Sequence, residues 1–132
     1  DSGLASFLLN VSVESSMLGK NEHLGNLVET FVYTELIKHQ SYANEDIEIY
    51  HFRDTQKKEV DFVLESSLGD IVAIEIKSGS NIKNEHFKGL LALAKIMKDK
   101  SFKGIIFYGG DKVLPYKIED YQFWAIPLKV LI

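Results

Sequence analysis

The sequence predicts an α/β domain with a mixed central sheet, in the order helix, three-strand antiparallel meander, helix, strand. Three observations carry this. Residues 59–65 and 71–77 are apolar, β-branched runs separated by Ser66, Ser67, Leu68, Gly69 and Asp70, the pattern of a β-hairpin. Helical spacing of apolar residues occurs twice, over residues 25–39 and 84–98. After the second helix, Gly104-Ile105-Ile106-Phe107-Tyr108-Gly109 is a nearly continuous apolar run, as a buried parallel strand requires.

The hairpin has a testable register. With Glu65 opposite Ile71, Val60 faces Ile76, Phe62 faces Ile74 and Leu64 faces Val72. These pairs are apolar and share one sheet face, as a period of two demands. The other face then carries Asp61 opposite Glu75 and Glu59 opposite Lys77. Directly opposed residues sit with Cβ atoms ~5 Å apart, and like charges there are destabilising. A strand has no need of that cost in order to fold. A divalent cation between the carboxylates removes it, and a nearby lysine softens it. The plainer alternative is a solvated face on which Lys77 pairs with Glu59.

The remaining elements follow in order. Leu4, Phe7, Leu8 and Leu9 suggest a short helix, and residues 1–24 are expected to be the remnant of a longer chain, packed on a domain formed by residues 25–132. Ser15, Ser16, Gly19 and Asn21 mark a loop. In the first strong helix, Leu24, Leu27, Val28, Phe31, Val32 and Leu36 form the apolar stripe, with Asn21 or Asn26 available as a cap. Glu29 lies at the border of this stripe, where an exposed helix charge is the plain reading. Glu35 lies within it, so its carboxylate needs a partner, backbone or arginine, or a site.

Ile47 to Arg53 alternates as the first strand of the meander. His51 is either near a site or a packing residue, and Arg53 either meets phosphate or pairs with a neighbouring acid. Asp54 to Lys58 turns the chain into the hairpin, and Ser78-Gly79-Ser80 breaks the third strand. Phe87, Leu90, Leu91, Ala94 and Met97 form the apolar face of the second helix. Glu85 near its start and Lys95, Lys98 and Lys100 near its end suit the helix dipole. Those lysines read either as a solvated helix end or as a DNA-facing patch. Gly109-Gly110-Asp111 is no phosphate loop, because no helix opening with Gly-Lys-Ser/Thr follows. Lys112 to Tyr121, with Pro115, reads as irregular, and Phe123 to Ile126 as a final edge strand closed by Pro127.

Composition bounds the chemistry. The 132 residues suit one domain with a real core, and 45% apolar and 26% charged residues are ordinary for a globular chain. With no cysteine, disulfides and thiolate metal sites are excluded. The four histidines lack metal-ligand spacing such as His-x-x-x-His, which argues against a histidine-rich zinc site. No apolar run of about eighteen residues exists to span a membrane. No signal peptide is visible, so a cytoplasmic location is expected. The net charge of −4 is unlike the basic balance of autonomous DNA-binding modules.

One motif unites the acidic residues: Asp61, thirteen residues, then Glu75-Ile76-Lys77. With the predicted elements around it, it resembles the PD-(D/E)XK nuclease superfamily and its restriction-endonuclease-like core. In such an arrangement two carboxylates hold a hard cation, Mg²⁺ or Mn²⁺, through oxygen. The carbonyl of Ile76 can add a third oxygen, and Lys77 stabilises charge or positions the nucleophile. Val60 stands where some relatives have proline, a position that does no chemistry. Gly25-Asn26-Leu27-Val28-Glu29-Thr30-Phe31-Val32 is similar to the helix in which archaeal Holliday-junction resolvases of this fold keep a glutamate. That resemblance assigns the role to Glu29 and not to Glu35.

More narrowly, the chain looks like the C-terminal domain of unknown function of bacterial and archaeal AAA-type ATP-binding proteins. The similar pieces are residues 1–5, 25–36, 52–54, 59–65, 74–77 and 104–109. This resemblance implies that an ATPase and a winged-helix region precede Asp1 in the parent chain. Two functions then compete. The first is a metal-dependent nuclease acting on DNA, using Glu29, Asp61, Glu75 and Lys77. The second is a catalytically inactive module that docks onto DNA or protein and regulates its ATPase. The oligomeric state is left open by the sequence.

Overall fold

A computed structural model describes residues 22–42 and 46–131. Residues 1–21, which include Asn21 and all but the last three residues of the expected 1–24 remnant, lie outside the described residues. Helix α1 (Glu22–Tyr42) starts before and ends after the expected span, so Asn26 sits inside it and cannot cap it. Three strands follow, β1 (Ile47–Arg53), β2 (Glu59–Ser66) and β3 (Ile71–Lys77). A short 3-10 turn (Asn84–Phe87) leads into α2 (Lys88–Ile96), and β4 is Phe102–Tyr108. The chain continues through β5 (Leu114–Ile118), β6 (Tyr121–Pro127) and a 3-10 turn, Leu128–Leu131.

The six strands form one mixed sheet in the order β1-β2-β3-β4-β6-β5. The pairs β1/β2, β2/β3 and β5/β6 are antiparallel, while β3/β4 and β4/β6 are parallel. Thus the α/β class, the meander and the parallel return strand are as expected. Two expectations at the C-terminus are corrected. Residues 114–118 are a strand, not irregular chain, and β6 is an internal strand rather than the edge. Pro115 had argued against a strand, but β5 is the edge and proline is tolerated there. A two-residue turn joins β5 to β6, with Glu119 in the left-handed region at φ 55°.

The helices cover opposite faces. Val28 and Val32 of α1 pack with Phe62, Ile74, Phe107 and Leu128. On the other face, Phe87, Leu90 and Leu93 pack with Val63, Ala73, Ile106 and Phe123. Fully burying a Val, Leu, Ile or Phe side chain contributes about 1.5–3 kcal/mol relative to exposure. Phe87 is completely buried and stacks near Tyr116 and Phe123, with ring centroids 4.9 and 5.4 Å away. It anchors the turn that precedes α2. Gly89, in the first turn of α2, permits a close approach to β2: a Cβ there would lie 1.9 Å from the Glu59 carbonyl oxygen.

The hairpin register is as expected over Phe62↔Ile74, Leu64↔Val72 and Glu65↔Ile71. Its loop is closed by Ser66 N–H to Asp70 O at 3.0 Å, with Gly69 at φ 87°. Beyond Phe62 the structure departs from the simple alternation. Tyr50 pairs with Val63 and Phe52 with Val60, so β1 advances two residues while β2 advances three. Asp61 and Phe62 therefore share the place opposite His51, a β-bulge on β2. The extra residue turns Val60 away from Phe62's face: Val60 packs in the α2-side cluster. The expected Val60–Ile76 pair is therefore absent from the described β2/β3 ladder, which stops at Phe62 and Ile74.

Candidate functional site

The β2 bulge and the end of the β2/β3 ladder create the site. Once the strands stop pairing, the Ile76 N–H needs another acceptor, because buried backbone donors are rarely left alone. Asp61 supplies it: its Oδ2 accepts from Ile76 N–H at 2.8 Å. This turns the Asp61 side chain towards β3, where Glu75 is 8% exposed. The two carboxyls meet there and share a hydrogen bond, although the β2/β3 ladder has ended and does not pair the two residues.

Burial pushes the Glu75 carboxyl up, first of all, and the hydrogen bond and charge of Asp61 add to this. The result is about 9, against an ordinary 4.5, even though Lys77 and the Ile76 amide act in the opposite direction. Without a cation, Glu75 thus keeps its proton at neutral pH and donates it to Asp61. Two ionised carboxylates at this spacing are too costly in a desolvated place.

Glu29, Asp61, Glu75, Ile76 and Lys77 all line one open pocket of about 620 Å³. Glu29 reaches it from α1 and is half-buried. Its carboxyl is raised by burial and by Asp61, with a smaller push from Glu59, while His51 opposes the rise. His51 is exposed and acts on Glu29 only at a distance. Lys77 is half-buried and within electrostatic reach of Glu75.

The expected Glu59–Lys77 pair does not form. Among the described residues Lys77 is in no ion pair, and Glu59 pairs with Arg53 at 3.3 Å. The bulge explains this, because it sets Glu59 opposite Arg53 on β1 after the ladder to β3 has ended. Arg53 thus pairs with an acid. Glu35 does not line the pocket: its partner is Lys38 at 3.3 Å, not arginine or backbone. Lys95 and Lys100 are engaged with Glu119 and Glu65, which suits a solvated helix end.

The sequence had not pointed to Lys57, Ser78, Glu85 and His86, which also line the pocket. Lys57 lies in the turn held by Asp54, whose Oδ1 accepts from Gln56 N–H and Lys58 N–H, and adopts φ 64°. His86 sits in the 3-10 turn above the end of β3, half-buried. Its sequence signal is a lone histidine past a strand break, without ligand spacing to any other.

The donor set at the centre is all oxygen: two carboxylates and the Ile76 carbonyl. Among the described residues no group of three or more His, Cys, Asp or Glu side chains is arranged to hold a metal ion. Among those residues no helix is long and apolar enough to cross a membrane. The family model described as "Domain of unknown function (DUF4143)" matches residues 24–131. No curated protein and no solved structure matches the chain.

Proposed function

Since the chain belongs to the DUF4143 family, whose description names no function, we propose one from the site: divalent-metal-dependent hydrolysis of DNA phosphodiester bonds on a PD-(D/E)XK-type core. The observation that carries this is the convergence of the half-buried Asp61 and the buried Glu75 in one pocket, sharing one proton, with Lys77 two residues beyond Glu75. A proton shared by a buried carboxyl and a half-buried one marks a place where a cation would relieve repulsion. The donors suit Mg²⁺ or Mn²⁺, which is held by one or two carboxylates and keeps several waters rather than filling a closed cage.

In this reading Asp61, Glu75 and the Ile76 carbonyl hold the cation. When bound, it acidifies a water and polarises the phosphate. The Ile76 amide fixes the Asp61 carboxylate, so that little reorganisation is needed. Glu29, kept more basic than an ordinary carboxylate, accepts a hydrogen bond from the attacking water. Lys77 stabilises the charge that develops on the phosphate oxygens as the new P–O bond forms and the ester bond breaks. DNA is the proposed substrate. An AAA-type ATPase and a winged-helix region of the same parent chain are the proposed partners, in the cytoplasm.

The acidic lining favours a second reading. Glu29, Glu59, Asp61, Glu75 and Glu85 outnumber Lys57 and Lys77, which suits a module that docks a basic partner without cleaving anything. A nuclease assay of the full-length protein separates the two. Single-stranded, duplex and branched DNA are offered with Mg²⁺ or Mn²⁺. Cleavage that depends on metal and is lost in Asp61→Asn and Glu75→Gln is expected. Absence of cleavage on every DNA form hands the site to the docking reading.

A further inference from the structure

We propose that His86 is a substrate-binding residue of this pocket, whose Nε2–H donates a hydrogen bond to a phosphate oxygen. The identity of the anion rests on the nuclease reading above. The role of the ring rests on its own geometry. The backbone N–H of Lys83 donates to His86 Nδ1 at 3.0 Å. An accepting Nδ1 carries no proton, so the neutral ring must carry its proton on Nε2. That nitrogen can donate, but in this tautomer it can neither ligate a cation nor act as a base.

Three features hold the ring in this state and place. Protonating Nδ1 would set its new N–H against the Lys83 N–H, so the imidazolium form is resisted. Burial lowers the imidazole further, with Lys77 and then Lys83 adding to it and Glu85 opposing. The next residue, Phe87, is fully buried, which pins the turn against the sheet. His86 also lines the same pocket as Asp61, Glu75 and Lys77. A phosphate entering so acidic a pocket needs donors that do not neutralise the carboxylates. A neutral N–H beside Lys77 meets that need, because it offers no charge to compete with a cation for Asp61 and Glu75.

The test has two arms, both on the full chain. In the first, ¹⁵N-histidine NMR of the metal-free protein reads the tautomer and then follows inorganic phosphate added with Mg²⁺. An Nε2-protonated ring whose resonances move with phosphate is expected. An Nδ1-protonated ring, or one that phosphate leaves unmoved, overturns the proposal. In the second, DNA cleavage is compared among wild type, His86→Ala and His86→Gln. A hydrogen bond to a charged group implies a rise in KM of about tenfold to a hundredfold in His86→Ala. Because the bond forms in ground and transition states alike, kcat should be little changed. His86→Gln, which keeps an N–H near the Nε2 position, should recover most of the loss. A fall in kcat at constant KM, or equal loss in both variants, overturns the proposal. If wild type cleaves no DNA, the nuclease reading fails, and the phosphate titration alone decides the role of His86.

Discussion

The backbone amide of Ile76 donates to Oδ2 of Asp61 at 2.8 Å, joining two strands just past the point where their ladder ends. A hydrogen bond that would normally continue the sheet is made by a side chain. The exchange brings the Asp61 carboxylate to Glu75 and opens the space that Glu29 and Lys77 share.

Metal binding should be visible as stability. A cation that binds only the folded protein at a hundred times its Kd adds about 2.7 kcal/mol. Thermal unfolding of wild type should therefore shift upward with Mg²⁺ or Mn²⁺. In Asp61→Asn the shift should vanish, while the Asn side-chain oxygen can still accept from the Ile76 amide. An equal shift in both proteins contradicts the site.

Glu75 should make the metal-free protein less stable as pH rises. Its folded value of about 9 lies above the ordinary 4.5. Below the ordinary value both states are protonated and its contribution is fully present. Above it, the unfolded chain ionises while the fold retains the proton. Stability should fall through this window by at most about 1.4 kcal/mol per pH unit, levelling off above the folded value. Glu75→Gln keeps a donor for Asp61 and removes the titration. Unfolding midpoints in EDTA across about pH 5–9 should show a flatter profile for the variant; parallel profiles would contradict the burial of this proton.

Lys77→Ala should lower turnover by about two to three orders of magnitude, in line with the loss of other electrostatic stabilisers. The Mg²⁺ thermal shift should persist, because Lys77 is no ligand. Lys95→Ala is the surface comparison. Its pair with Glu119, at 2.7 Å, is about half exposed on both sides, so its loss should matter by only ~0–1 kcal/mol. Unchanged cleavage in Lys77→Ala places the activity elsewhere.

Gly89→Ala should destabilise the fold without touching any charge. The new methyl would meet the Glu59 carbonyl at 1.9 Å, and that backbone belongs to β2, so α2 must move. Overpacking of this kind costs about 1–3 kcal/mol. Urea unfolding should show a lower midpoint at unchanged slope. A midpoint equal to wild type would mean that α2 is not held against β2.

Much of the scaffold was legible because it is local. The loop from Ser66 to Asp70 and the alternation of Phe62, Leu64, Val72 and Ile74 leave one register that buries apolar side chains on one face. Val28 and Val32 likewise keep helical spacing and are buried where that spacing puts them. The strand at residues 114–118 escaped because it pairs with β6 and packs on the α2-side core, neighbours that no local pattern identifies.

The sequence by itself determined the hairpin between Phe62 and Ile74, the presence of both helices, and the nearness of Asp61 in one strand to Glu75 and Lys77 in the next. Those features follow from a two-residue period, a 3.6-residue period and a short loop. Tertiary structure decided the rest. The bulge opposite His51 turned Val60 to the α2 side and gave Glu59 to Arg53, because one extra residue resets the alternation. Packing of α2 and its leading turn brought His86 to the pocket, and burial gave Glu75 its proton. A carboxyl's charge depends on the water removed from around it, and that is set by elements far away in the chain.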